Sequence, residues 1–408
     1  MTSIHVAIVS PSSRAHIFPS LGLCREFVRR GWRVTYVTDM DHAEFVRETG
    51  AEPISYAPPS FRSEKWDHVL ELPPSDDNWW RYFGEAAFPS LLENAAETVR
   101  QVSPFYESNP PSLVLYDPIA LAGRIISKRA NCPAIQVSPN FAPLENFLFW
   151  ENGACRNPQP LVDFAGKMDS FFLPFGISTT NNLWHVEPFN IFLLPREFQY
   201  QADMFDDRYF FAGPCLDRPI MHRWSPKYYD GTPIVLISDQ SQVSDSRYFK
   251  LFVAALSNTN YRVILSIGEE TPELELSPLP DNFEVNRYAS HLEILPHVSL
   301  LICQGGLLST LEAMYYGVPV IALPRSPDHA AVAYRLGELG LGRILPRHTV
   351  TIEEIRGCID SVMSDHTLLA RVREMKSTVR GCGGAVATAE KLEEILRKSV
   401  GVECSPEH

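Results

Sequence analysis

Short β-branched runs and longer stretches with apolar residues at helical spacing take turns along this chain. His5 to Ser10 (HVAIVS) reads as a first strand. A polar loop follows, then PSLGLCREFVRR with helical periodicity that stops at Gly31, and then a second strand at Arg33 to Thr38. That is a β-α-β unit, and a parallel sheet is implied when the same rhythm returns at Ser112 to Tyr116 and Ala134 to Val137. From Cys215 to Thr232 (CLDRPIMHRWSPKYYDGT) the periodicity lapses into proline and polar residues, which predicts an interdomain linker. Strands restart at Ile234 to Ser238 and Tyr261 to Ser266, and Ser299 to Gln304 leads through STLEAMYYG to VPVIALP as another β-α-β. The expected organisation is an N-terminal α/β domain over 1–214, a linker over 215–232 and a C-terminal α/β domain over 233–408. The last amphipathic stretch, Gly384 to Ser399, has no strand behind it and is expected to pack across the sheet or back over the junction.

Composition narrows the partners. With 45% hydrophobic and 21% charged residues over 408 positions, most of the chain should fold, and the length suits two domains. A formal net charge of −13 argues against a nucleic-acid backbone or an anionic membrane surface as the main partner. The cysteines are scattered without a C-x-x-C pair, as in a reduced, cytoplasmic protein. The start, MTSIHVAIVS, lacks a basic n-region, so no signal peptide is expected, and no run approaches the length of a membrane span. A monomer or homodimer would suit such a chain. The turn after the first strand, SPSSRAHIFP, contains no glycine, which counts against a dinucleotide oxidoreductase.

Two open α/β domains place ligands at the carboxyl ends of their strands. The most informative block there is CQGGLLSTLEAMYYGVPVIALPRSPDHAAVAYRLGELGLG, from Cys303 to Gly342. Gly305 and Gly306 let the backbone turn closely, and Ser309 and Thr310 open a helix whose free N–H groups favour an anion. Ser309-x-x-Glu312 equally satisfies a capping box that needs no ligand. His16 is either a surface residue of the first loop or a base, and Asp117, ending SLVLYD, is either a turn residue or its partner. Asp39-Met40-Asp41 has the D-x-D spacing of metal-dependent sugar transferases, but directly after a strand it reads as a solvated turn.

The Cys303 to Gly342 block resembles the donor-binding signature of family 1 glycosyltransferases of the GT-B fold, especially the bacterial macrolide and natural-product branch. There H-x-G-x-x-S-T-x-E-A is followed by G-V-P and P-x-x-x-D-Q. The likeness runs from HVAIVS to the closing GGAVATAEKLEEIL. It implies two Rossmann-like domains facing across a cleft and an inverting transfer of a hexose or deoxyhexose from a UDP- or dTDP-sugar. Carried onto this chain, Gly305, Gly306, Ser309 and Thr310 would hold the diphosphate, Glu312 the ribose, and Asp328 and His329 the sugar hydroxyls. Tyr288 replaces the Trp that stacks on the base, and His291 replaces the Gln of the W-x-P-Q turn. Gln304 stands in for the diphosphate-binding His. Asp239 and Gln240 replace the middle of an S-x-G-S loop, leaving Ser238 and Ser241.

RAHIFPSL resembles the family's H-G-H-x-x-P-S-L turn, which makes His16 the implied general base and Asp117 the carboxylate that orients it. No metal and no cofactor beyond the nucleotide-sugar co-substrate is expected. Acceptor recognition is assigned to the first half, where Trp66, Trp79, Trp80, Tyr82, Phe83 and Phe88 crowd one segment. Phe141, Phe147, Phe149 and Trp150 crowd another, after Ser138-Pro139-Asn140. Trp79, Phe83, Asn140, Phe141 and Phe149 are the candidate contacts to a small hydrophobic aglycone, polyketide-like or aromatic. Two other functions fit the same architecture: a sugar-nucleotide epimerase, which needs no apolar acceptor pocket, and a catalytically silent nucleotide-sugar-binding partner.

Overall fold

A computed structural model of the chain describes residues 4–59, 77–143, 159–177, 185–220, 224–225, 231–239, 246–268, 278–288 and 290–399. The first half contributes β1 (His5–Val9), α1 (Arg14–Arg29), β2 (Arg33–Thr38), α2 (Ala43–Arg47), β3 (Glu52–Ser55), α3 (Asp77–Ser108), β4 (Leu113–Tyr116), α4 (Ala122–Ala130), β5 (Ala134–Ser138), α5 (Gln159–Phe172), β6 (Asn190–Phe192) and β7 (Tyr209–Phe211). Its strands form a seven-stranded sheet in the order β3-β2-β1-β4-β5-β6-β7, and every pairing is parallel. β1 and β4 are buried along their whole length, because helices cover both faces.

The second half contributes β8 (Ile234–Ser238), α6 (Ser246–Leu256), β9 (Arg262–Ser266), β10 (Phe283–Asn286), α7 (His291–Ile294), β11 (Leu300–Cys303), α8 (Leu307–Tyr316), β12 (Val320–Ala322), α9 (Pro327–Glu338) and β13 (Gly342–Ile344). A second parallel sheet runs β10-β9-β8-β11-β12-β13. Three helices close the chain: α10 (Ile352–Ser364), α11 (His366–Gly381) and α12 (Gly384–Ser399). The two-domain parallel α/β architecture implied by the sequence is the one observed.

In each sheet the strand order reverses beside the first strand, so a crevice opens between β1 and β4 and another between β8 and β11. The register sets the residues after β1 beside Asp117, and Asp239 beside Gln304, since Val9 pairs with Tyr116 and Ser238 with Cys303.

The halves are joined by burial as well as by chain. α12 returns to the first half, where Ala389 and Leu392 are fully buried in its core and Arg30 pairs with Glu393 at 3.0 Å. Beside α9, the Tyr200 hydroxyl donates to the Ala331 carbonyl at 2.6 Å, and Arg335 donates to the carbonyls of Phe198 and Gln199 at 3.0 and 2.9 Å.

One local expectation changes. The helix after β1 begins at Arg14, a full turn before the PSLGLC stretch, so His16 sits in the first turn of α1 rather than in a loop. Pro19 lies inside it, where it removes only the N–H that would bond to the Ala15 carbonyl.

Candidate active site

His16 and Asp117 meet at the first crevice. Asp117 follows β4, and its N–H donates to the Val9 carbonyl at 2.9 Å, which fixes its position beside β1. Its carboxylate divides its work. Oδ1 accepts from the Ile119 N–H at 3.1 Å, the turn role, while Oδ2 accepts from His16 Nδ1 at 2.8 Å. Both expected roles are therefore present at once.

Because a carboxylate only accepts, Nδ1 carries the proton. Nε2 is then left with its lone pair and has no partner among the described residues. Burial of His16 opposes protonation. The charge of Asp117, its hydrogen bond and the more distant charge of Asp328 outweigh burial, so the imidazole pKa is raised above its ordinary 6.5. Asp328 belongs to the second half, so the two halves meet electrostatically at His16. Val137, Pro139 and Leu193 add apolar walls to a small recess that His16, Ser10 and Asp117 share. None of these three was singled out in the sequence.

At the second crevice Gly305 adopts φ +86°, a conformation open to glycine, and Gly306 is the N-cap of α8. No side chain caps that helix. The Ser309…Glu312 capping box does not form: Ser309 lies inside the helix, and Glu312 points elsewhere. The N-terminal N–H groups and helix dipole are thus presented without an internal carboxylate, which suits an anion. The Thr310 side chain is fully buried and its hydroxyl has no hydrogen-bond partner among the described residues.

Glu312 is 1% exposed and held from two sides, by Arg218 and by His291 Nδ1 at 2.9 Å. His291 Nε2 bonds in turn to the Ser238 hydroxyl at 3.0 Å. Burial would raise the Glu312 pKa, but Arg218 and then His291 outweigh it and hold the carboxyl below its usual range. Arg218 comes from the linker region. Its partner is 94 positions away in a different domain, so no local pattern pointed to it.

Gln304 donates from its amide to Asp239, which also pairs with Arg347. The Arg347 guanidinium lies 4.1 Å from the centroid of the Tyr248 ring. Tyr288 has the Arg14 guanidinium 5.3 Å from its ring centroid, and burial raises its pKa. Asp328 is in the first turn of α9, where the N-cap position is held by Ser326 without a capping bond to the backbone, and it accepts from the Ser326 hydroxyl. His329 follows, with Nε2 at 3.8 Å from Asp328 Oδ2.

On the acceptor side the expectations divide. Phe141 is 3% exposed, 5.8 Å centroid to centroid from Phe198 and 5.0 Å from Tyr200, so it packs the core where a pocket role was expected. Phe88 is likewise buried, stacked on Phe164 at 3.9 Å. Asn140 is exposed, and its N–H donates to the Ser138 hydroxyl. Trp79, Trp80, Tyr82 and Phe83 fall on α3, with side chains outside what is described. Trp66, Phe147, Phe149, Trp150, Gln240 and Ser241 lie outside the described residues. Asp39 takes the backbone N–H of His42 at 3.0 Å and its ring Nδ1 at 2.7 Å, a turn arrangement. Among the described residues no helix is long and apolar enough to cross a membrane.

The chain is similar to known proteins in sequence and in fold. Residues 250–394 match the family model described as erythromycin biosynthesis protein CIII-like, C-terminal domain. The chain is 29% identical to NDP-glycosyltransferase YjiC of Bacillus subtilis (strain 168), over 98% of this chain and 99% of that one. It is 28% identical to the demethyllactenocin mycarosyltransferase of Streptomyces fradiae, over 96% of this chain and 86% of that one. Among solved structures, the calicheamicin glycosyltransferase CalG4 superposes with a TM-score of 0.80 at 27% identity, covering 98% of this chain and 100% of that one. The glycotransferase of kitacinnamycin superposes with a TM-score of 0.81 at 28% identity, covering 97% and 99%.

Proposed function

We propose that the chain, a sugar-transferring enzyme, acts as a family 1 glycosyltransferase of the natural-product branch and moves a hexose or deoxyhexose from a UDP- or dTDP-sugar to a hydroxyl of a small hydrophobic aglycone, inverting the anomeric centre. The observation that carries the mechanism is the 2.8 Å bond from His16 Nδ1 to Asp117, which leaves Nε2 with the ring's lone pair. An acceptor hydroxyl is a poor nucleophile until its proton is taken. His16 Nε2 takes it as the oxygen attacks the anomeric carbon, and Asp117 steadies the imidazolium that results. The nucleoside diphosphate leaves from the opposite face, so the configuration inverts and no covalent intermediate forms.

The leaving group's charge falls on the uncapped N-terminus of α8, on the Gly305 and Gly306 backbone and on Ser309. Tyr288 offers a ring face to the base, Glu312 its carboxylate to the ribose, and Asp328 its carboxylate to the sugar hydroxyls. Such a site needs no metal to neutralise the diphosphate. The boundary between acceptor and donor domains is assigned to 215–232, between the last strand of the first sheet and the first strand of the second.

A silent nucleotide-binding partner would have no use for an oriented base with a free Nε2, and an epimerase would have none for an apolar recess beside it. The test is a panel of UDP- and dTDP-sugars incubated with varied aglycones, read by product mass. Transfer from one donor class to an apolar alcohol is the expected result. No product with any pair, together with no heat of binding for UDP or dTDP, would refute the proposal.

A further inference from the structure

Beyond the helix-borne Ser309 and Thr310, the donor diphosphate has two candidate side-chain contacts near Gly305 and Gly306, and the geometry separates them. Gln304, at the end of β11, is drawn sideways to the end of β8: its amide nitrogen donates to Asp239, which is 3% exposed and paired with Arg347. A carboxylate that already holds an arginine anchors the amide firmly, because releasing Gln304 would remove a hydrogen bond from a buried charge. His329 reaches the same place from α9. Its Nε2 lies 3.8 Å from the point a β-carbon on Gly306 would occupy, and its backbone carbonyl lies 3.0 Å from the equivalent point on Gly305. The ring is 24% exposed, so it keeps an open side there, while Nδ1 is buried without a hydrogen-bond partner among the described residues. Asp328 is 3.8 Å from Nε2, an ion-pair distance that leaves room for a shorter bond to another acceptor.

We propose that His329 Nε2 is the principal side-chain donor to the diphosphate, and that Gln304 is a positioning residue held by the Asp239–Arg347 pair. The two residue types are thereby exchanged relative to the signature the chain resembles, with Gln where a His is usual and His where a Gln is usual. The exchange keeps one imidazole and one amide beside the Gly305–Gly306 turn. His329 then sits where sugar and phosphate join, next to Asp328 on the sugar side. The balance of charge is consistent: Arg347 offsets Asp239, so the anion does not approach an uncompensated carboxylate.

This rests on the donor-site reading above, and calorimetry separates the two. UDP and uridine, and dTDP and thymidine, are titrated into the wild type, His329→Gln, Gln304→Ala and the double variant Gln304→His/His329→Gln. His329→Gln should weaken diphosphate binding by about tenfold or more, the scale of one hydrogen bond to a charged group, and leave nucleoside affinity unchanged. Gln304→Ala should weaken it by less than His329→Gln. The double variant, with an imidazole returned to position 304, should recover part of the loss. Unchanged nucleoside binding also certifies a folded pocket in each variant. Full-strength UDP binding by His329→Gln, or a larger loss from Gln304→Ala, would overturn the assignment of His329 and leave the donor site standing. A wild type that binds neither UDP nor dTDP would instead end the donor-site reading, and this assignment with it.

Discussion

Removing the imidazole of His16 tests the mechanism most directly. In His16→Ala the Asp117 carboxylate, which bonds His16 Nδ1, loses the imidazole through which it is proposed to act. The expected loss in kcat is on the order of 10² to 10⁴, or about 3 to 5.5 kcal/mol of barrier, with little change in donor affinity. Asp117→Asn should lower kcat as well, since the amide cannot steady an imidazolium. Its effect should nearly vanish in the His16→Ala background, because two residues acting through one bond do not add.

The pH profile supplies a second, independent reading. The base works only when neutral, and its folded pKa is raised, so kcat/KM in the wild type should fall with an acid limb above 6.5. Burial alone pushes that pKa down, and Asp117 is the main influence pushing it up, so Asp117→Asn should move the limb to lower pH. Stability shifts the opposite way from activity. A group whose folded pKa is raised contributes stability that is fully present below its unfolded pKa near 6.5 and is lost as pH rises through the folded value. Asp117→Asn should therefore destabilise more at pH 6 than at pH 9 in urea titrations. Wild-type turnover by His16→Ala on an ordinary alcohol, or fully additive losses in the double variant, would refute the catalytic assignment.

Glu312→Ala would strand Arg218 and His291 in a buried site, so a loss of about 3–5 kcal/mol in urea titrations is expected, with Glu312→Gln milder. Since Glu312 has a lowered folded pKa, its contribution is present above about pH 4.3 and lost as pH falls through the folded value; a Glu312→Gln protein whose acid unfolding matches the wild type would contradict this. Gly305→Ala forces a side chain onto φ +86° with its β-carbon 3.0 Å from the His329 carbonyl, so calorimetry should find UDP binding weakened and aglycone binding intact. Thr351→Ala removes the capping box of α10, whose bonds run to Glu354 and not to either crevice, and should lower the Tm by about 2–4 °C with unchanged kcat and KM.

What could be read from the chain was whatever a local pattern carries. β-branched runs marked β1, β2, β8 and β9, and the Gly305-Gly306 turn marked the start of the apolar helix α8, because backbone geometry at those positions is dictated by neighbours in sequence. The start of α1 was misplaced by the same logic: proline usually opens a helix, and Pro19 here lies inside one. Phe141 looked like a ligand contact since aromatic density does not say which face is covered. Its partners, Phe198 and Tyr200, lie more than fifty positions away. Arg218, Arg347 and Arg14 were illegible as site residues for that reason too. Each acts on a residue brought near only by tertiary structure.

The topology explains why those long-range pairs gather where they do. A parallel sheet whose order reverses leaves two strand ends without a connecting loop across them, and polar side chains placed there escape the apolar faces on either side. His16 with Asp117 occupies one such gap, and Gln304 with Asp239 the other. Both carboxylates are nearly buried, so each requires a hydrogen-bonding partner at close range, and the partner is the group proposed to act or to be held. At the first gap the partner is an imidazole with one nitrogen to spare, which makes a base. The second gap gives its carboxylate an arginine and an amide, which leaves the neighbouring backbone N–H groups and His329 to meet an anion. Asp328 links the two gaps, since its charge is felt at His16 while His329, next to it in the first turn of α9, borders Gly305 and Gly306. The His16 pKa is thus raised chiefly by Asp117, its neighbour in the first half, with a further contribution from Asp328 in the second.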